Sequence, residues 1–212
     1  NKLKNNKVKA LFMVNPGNPT EYCLPLRNIE RIGEIVKNER KDLIVVSDSV
    51  YAPFVNEFNS FMYSCPKNTI EIYSLSKYFG VTGWRLGVVM IRKENNLNEL
   101  LNNLNDIKKR ELRKRYSLAS TKPDKLSLMS RIVMDSRQVA EAHVGGLSTP
   151  QQMMMALMTY YQDHICGEPY KKQLRDLLMT RMKNTYSKFK YIPQIDEKST
   201  NYYSLIKVEL RI

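Results

Sequence analysis

A chain of 212 residues with 42% hydrophobic side chains can bury the core of one large domain or two small ones, and its 26% of charged residues suits it to water. Its longest apolar runs, such as ALFMV and LIVV, are far too short to span a bilayer, and no apolar leader precedes the first strand, so neither a membrane nor a secretory route is expected. Three scattered cysteines (Cys23, Cys65 and Cys166) lack any CxxC pair and argue for reduced thiols in a cytoplasmic protein; with only two histidines, no metal site is expected.

The first third alternates strand and helix. VKALFMVN (8–15) reads as a buried strand ending in the turn PGNPT. LRNIERIGEIVKNER (26–40) has apolar residues at 29, 32, 35 and 36, one face of a helix. DLIVVSD (42–48), TIEIYSL (69–75) and RLGVVMIRK (85–93) read as three further strands, and their dense apolar runs suit interior strands covered on both faces by helices. Helices are then expected at 95–115, 124–142, 150–166 and 169–189, and NYYSLIKVEL (201–210) as a last strand. A polar lead and an unfinished final strand make the chain read as the middle of a larger α/β protein.

A net charge of +13 raises nucleic acid as a partner. The densest basic run, KKRELRKRY (108–116), follows LNELLNNLNDI and is expected to continue one amphipathic helix as its solvated face. No zinc-finger spacing or aromatic–basic RNA motif accompanies it, so nucleic acid is set aside as the partner.

The polar residues gather where the strands end. Strand one delivers Asn15 and Asn18, strand two Asp48 and then Tyr51, and strand three Ser74, Ser76 and Lys77, with Arg85 eight residues on. Ligands of α/β sheets sit beyond the carboxyl ends of strands. An amide, a carboxylate, a phenol, a hydroxyl, a lysine and an arginine together suit a phosphorylated, nitrogen-containing aromatic ligand held covalently by lysine.

NPGNPT, SDSVY some thirty residues later, then SLSK with arginine at +8, resemble the fold-type I pyridoxal-phosphate enzymes of the aspartate aminotransferase superfamily. The resemblance implies a three-layer α/β/α large cofactor domain, incomplete here, over 1–195, with 196–212 starting the small C-terminal domain. It implies that Lys77 carries the cofactor as a Schiff base, that Asp48 pairs with the pyridine nitrogen, that Asn18 and Tyr51 bond the phenolate oxygen, and that Ser74 and Arg85 bind the phosphate. Each residue type suits its role: lysine loses its proton in dry or cationic surroundings, the carboxylate keeps the ring nitrogen protonated, and arginine offers a planar donor fork. NPTE stands where the family has NPTG, so the loop after Asn18 is where the backbone is expected to differ.

Beyond these motifs, SRQVAEAHVGGLSTPQQMMMAL (136–157) with NYYSLI (201–206) is more similar to aspartate 4-decarboxylases than to ordinary transaminases. In related enzymes the loop equivalent to Ser148 and Thr149 reaches the phosphate of a neighbouring subunit, implying at least a homodimer; as a plain alternative, Thr149 caps a helix that has Pro150 at its first position. The implied activity is conversion of L-aspartate to L-alanine and carbon dioxide with side transamination. Its rivals are an aspartate or other aminotransferase and a non-catalytic basic relative. The glycine-rich phosphate loop, the ring-stacking aromatic and the substrate-carboxylate arginine of such enzymes are not among these 212 residues, so the chain alone is expected to bind cofactor poorly.

Overall fold

The computed structural model describes residues 2–138, 146–189 and 198–205. In chain order its elements are β1 (Ala10–Val14), α1 (Leu26–Asn38), β2 (Ile44–Asp48), α2 (Phe61–Ser64), β3 (Thr69–Ser74), α3 (Leu75–Tyr78), β4 (Gly87–Ile91), α4 (Asn96–Asn102), α5 (Asp106–Tyr116), α6 (Leu128–Gln138), α7 (Thr149–His164) and α8 (Gly167–Lys188). The sheet runs β1-β2-β3-β4; the first three strands are parallel and β4 returns antiparallel to β3. The four strands and α1 lie within the expected spans. Their apolar runs form strands because β-branched side chains pack well on a pleated surface.

Register separates the two faces of the sheet. Leu11, Val45 and Thr69 align across one face, and Phe12, Val46 and Ile70 across the other. The first packs on α1 and α2, where Ile29, Val36, Leu43, Val45, Phe61 and Cys65 form a buried cluster joined by Met13. Helix α1 lies so close to α2 that a Cβ on Gly33 would stand 2.7 Å from the Ser64 Cβ. The opposite face is covered at the carboxyl end of the strands, where Val14 meets Val50, Tyr51 and Phe54, Leu174 and Leu178 of α8, and Tyr202 and Tyr203.

Several expectations are corrected. The outer strands are not covered on both faces by the described residues: Phe12 of β1 is 64% exposed, and Val89 and Met90 of β4 are 40% exposed. Both are the outermost of the four described strands, and apolar composition alone does not reveal sheet order. The helix expected over 95–115 is two, because Asn103 ends α4 and Asn105 caps α5 by accepting from the Lys108 N–H at 2.9 Å; asparagine prefers such local bonds to a helix interior. The basic run therefore opens its own helix, in which Lys108 pairs with Glu111, Arg113 with Asp124 and Arg115 with Asp135. Helix α6 starts at Leu128, after a 3-10 turn over Pro123–Lys125; the expected 139–142 lie outside the described residues. Residues 201–203 bend instead of extending as a strand, because Tyr202 and Tyr203 pack on Val50, Tyr51 and Phe54 just after β2, and 206–210 lie outside the described residues.

Arg40 ties the start of the chain to β2. Only 2% exposed, its guanidinium donates to the carbonyls of Leu3, Asn5 and Val8 and to both carboxylate oxygens of Asp42. That guanidinium, with Lys9 as a lesser partner, holds the Asp42 carboxyl well below the usual carboxylate range. The folded state thus favours the ionised form more than the unfolded chain does. The resulting stability is full above an ordinary aspartate pKa of about 3.9 and is lost as pH falls below it. The unfolding midpoint in urea should drop as pH falls from about 5 to 2, and Asp42→Asn should flatten that slope.

Candidate active site

The three parallel strands end together. The Asn15 N–H donates to the Asp48 carbonyl at 2.9 Å, and the Ser49 N–H to the Ile72 carbonyl at 2.9 Å, so the ladder continues past the strand ends and draws three loops to one pole. Asn15, 1% exposed, accepts the Leu24 N–H at 2.8 Å and so closes the loop that carries Asn18. At Glu21 that loop turns through φ = 61°. This is the NPTE departure: the backbone keeps the left-handed turn that glycine adopts freely, with glutamate bearing a strain of about 1–2 kcal/mol.

Asn18 and Tyr51 meet at this pole. The Asn18 amide lies 3.4 Å from the Tyr51 hydroxyl and 3.4 Å from that of Tyr203, and the two phenols are 2.5 Å apart. Tyr51, 3% exposed, sits among the rings of Phe54, Tyr202 and Tyr203. Burial, and then the Tyr203 hydroxyl, raise its pKa far above the ordinary phenol value, so it stays protonated and able to donate. Asp48 takes the Val50 N–H on Oδ1 at 3.0 Å; among the described residues Oδ2 has no hydrogen-bond partner.

Lys77 stands on the single turn of α3, immediately after β3. Its Nζ lies 5.8 Å from the centroid of the Tyr202 ring, and among the described residues it forms no ion pair. Ser74 caps that turn: its Oγ accepts the Ser76 N–H and lies 2.9 Å from Ser76 Oγ and 3.1 Å from the Leu86 carbonyl. Opposite it, Gly87 pairs with Ser74 across β3 and β4, which brings Arg85 to the same corner. Arg85 is exposed, adopts φ = 56° and donates to the Thr82 carbonyl at 3.0 Å.

The cap of α7 differs by one residue from expectation. Ser148, not Thr149, is the N-cap, in a capping box with Gln151, and Pro150 follows inside the first turn. The box wins because Gln151 answers the Ser148 N–H at 2.9 Å while Ser148 answers Gln151. Gln151 also donates to the Trp84 carbonyl at 2.9 Å, so the start of α7 lies beside the Arg85 turn. Tyr202 and Tyr203 were not singled out as site residues in the sequence, where NYYSLIKVEL reads as a last strand; their signals were the aromatic doublet and the NYYSLI similarity. A separate cavity of about 670 Å³, lined by Lys41, Lys67, Arg92 and Leu100 among others, contains none of these strand-end residues.

A lysine on the turn that follows β3, an amide–phenol pair, and a carboxylate whose Oδ2 has no hydrogen-bond partner among the described residues all sit past the carboxyl ends of the parallel strands, as expected of an α/β cofactor domain of the aspartate aminotransferase type. Comparison with known proteins agrees. The family model for aminotransferase class I and II matches residues 1–207. The bifunctional aspartate aminotransferase and L-aspartate beta-decarboxylase of a Pseudomonas species is 39% identical over 208 residues, 98% of this chain and 39% of that protein. The aspartate aminotransferase of Sulfolobus acidocaldarius is 37% identical over 99 residues, 45% of this chain and 24% of that one. Among solved structures, the aromatic aminotransferase of Pyrococcus horikoshii superimposes with a TM-score of 0.57 at 22% identity, over 88% of this chain and 40% of its own. Cystalysin of Treponema denticola, solved with pyridoxal 5'-phosphate, gives 0.55 at 17% identity, over 89% and 39%. The chain belongs to the class I and II aminotransferases, the pyridoxal-phosphate family of fold type I. It spans well under half the length of the curated relatives compared here.

The residues fit that cofactor. The Lys77 amine, which forms no ion pair among the described residues, would suit its aldehyde, the Asp48 Oδ2 its ring nitrogen, and the convergent Asn18 and Tyr51 its ring oxygen; Arg85, with guanidinium donors beyond the one spent on Thr82, would suit its phosphate. The capping box is a separate matter of stability. Ser148→Ala should destabilise the protein by about 1 kcal/mol in denaturant unfolding, and Thr149→Ala by less than half of that.

Proposed function

We propose that this chain is the cofactor-binding part of an L-aspartate 4-decarboxylase, releasing L-alanine and carbon dioxide, with a side aminotransferase activity. The observation that carries this reading is the reach of one relative: the bifunctional protein aligns over 98% of the chain, through the α7 capping segment and the tyrosine doublet, whereas the Sulfolobus transaminase aligns over 45%. In this reading 196–212 begin the small domain, and the protein works in the cytoplasm as a homo-oligomer, with Ser148 and Thr149 near a neighbouring subunit's phosphate.

When bound, pyridoxal phosphate supplies a carbonyl that condenses with amines and a protonated ring that draws electrons from the substrate. The chain's residues do the rest. Lys77 would hold the cofactor through its amine and would move the proton at the substrate α-carbon. Asp48 keeps the proton on the ring nitrogen through its free oxygen. Asn18 and Tyr51 hold the ring oxygen, and Tyr51 serves as a donor because burial keeps it protonated. Ser74 and Arg85 take the phosphate, Arg85 as the planar donor.

Borohydride reduction of the full-length holoprotein, followed by digestion, should fix the cofactor on Lys77, and Lys77→Ala should lower turnover by about 10³-fold or more; label on another lysine would sink the assignment. Decarboxylation and transamination part by little: about 1.4 kcal/mol between barriers changes the partition tenfold. The full-length protein incubated with L-aspartate should form L-alanine and carbon dioxide without a keto-acid acceptor. Oxaloacetate appearing only with added 2-oxoglutarate, and no alanine, would make it an aminotransferase.

A further inference from the structure

Glu21 is a carboxylate where little favours one. It is 8% exposed, stands at φ = 61°, and its Oε1 closes no hydrogen bond among the described residues. Burial raises its pKa above the ordinary carboxylate value; the Ser199 hydroxyl opposes this most, and the nearby Tyr203 and Asn201 amides add to that opposition. A glycine would hold the turn without either cost. Something therefore uses the side chain.

What it touches is the segment that carries the two tyrosines. Ser199 Oγ donates to Glu21 Oε2 at 2.8 Å and lies 3.4 Å from the Asn201 N–H. Main-chain pairing fixes the segment only as far as Thr200: Cys23 N–H to the Lys198 carbonyl, a bridge between Tyr22 and Ser199, and Thr200 N–H to the Glu21 carbonyl. Past Thr200 the described residues form no further backbone–backbone bonds, and the turn rests on side chains: Ser199 for Asn201, and Thr200 Oγ1 for the Tyr202 N–H at 3.3 Å. Directly after that turn, Tyr203 meets Tyr51 and Asn18, and Tyr202 lies under Lys77.

We propose that Glu21 is a positioning residue whose carboxylate fastens the Ser199–Tyr203 turn, and so aims the Tyr203 hydroxyl at the Tyr51–Asn18 pair and the Tyr202 ring at Lys77. Tyr203 thereby joins Asn18 and Tyr51 as a third hydrogen-bonding group on the wall assigned to the cofactor's ring oxygen. This last point rests on the cofactor reading above; the clasp itself does not.

The test uses the full-length protein and the variants Glu21→Gly, Glu21→Gln, Tyr203→Phe and the Glu21→Gly/Tyr203→Phe double variant. Glycine accepts the left-handed turn, so Glu21→Gly removes the clasp without adding strain. In cofactor-free protein, hydrogen exchange of the Asn201 and Tyr203 amides should quicken about tenfold or more in Glu21→Gly while β1 and β2 stay unchanged, and Glu21→Gln, which keeps an acceptor for Ser199, should restore most of the protection. In titrations with pyridoxal phosphate, Glu21→Gly should weaken binding about fivefold, and the double variant should bind no more weakly than Tyr203→Phe alone. Unchanged exchange at 201–203 in Glu21→Gly, or additive losses in the double variant, overturns the proposal. Absence of cofactor uptake by the wild-type protein would instead sink the cofactor reading, leaving the exchange measurement to decide the clasp.

Discussion

The site depends on the ladder that runs past the ends of three parallel strands. Asn15 donates to the Asp48 carbonyl and Ser49 to the Ile72 carbonyl, so NPGNP, SDSVY and YSLSK leave the sheet at the same height and side by side. Parallel strands make this possible, because all their carboxyl ends share one pole. Shifting β2 by one residue would turn Asp48 to the face covered by α1 and α2 and break the alignment with both neighbours. The apolar cluster under that face, from Ile29 to Cys65, guards against such a shift.

The pole itself is assembled from groups that cost free energy to hold. Glu21 and Arg85 have left-handed backbone, Glu21 and Tyr51 are buried polar groups, and Lys77 has no carboxylate to neutralise it among the described residues. Strain and desolvation of this kind persist where the surroundings over-determine them, and they gather at functional sites. Here the support comes from far along the chain. Helix α8 and the Ser199–Tyr203 turn close over the 3-10 turn Ala52–Phe54 that follows β2, with Leu174, Leu178, Tyr202 and Tyr203 packing on Val50, Tyr51 and Phe54.

The tyrosine cluster links that support to chemistry. Phe54, Tyr51, Tyr202 and Tyr203 stack edge to face or tilted, with centroids 5.1 to 6.5 Å apart, an arrangement that rigid rings favour. Rings on that scale leave little freedom to the hydroxyls at their tips. The Tyr51 and Tyr203 oxygens are thus presented to Asn18 by packing, and the amide need only meet them.

By itself the sequence determined the strands, the first helix and the identity of the strand-end residues. Apolar runs of strand length and small polar residues at their ends are local properties, and NPGNPT, SDSVY and SLSK lie within some seventy residues. The same local reading misjudged what depends on neighbours. It made one helix of α4 and α5 because leucine spacing outweighed an asparagine cap, it expected cover on both faces of β1 and β4, the outermost described strands, because composition does not report sheet order, and it put the α7 cap at Thr149 because the reciprocal bond with Gln151 is a matter of geometry. Only the tertiary structure decided that Tyr202 and Tyr203 belong to the site and that Glu21 reaches Ser199. Those contacts join residues some 150 to 180 positions apart, and they exist because α8 brings the chain back across the carboxyl ends of the sheet, something no local pattern encodes.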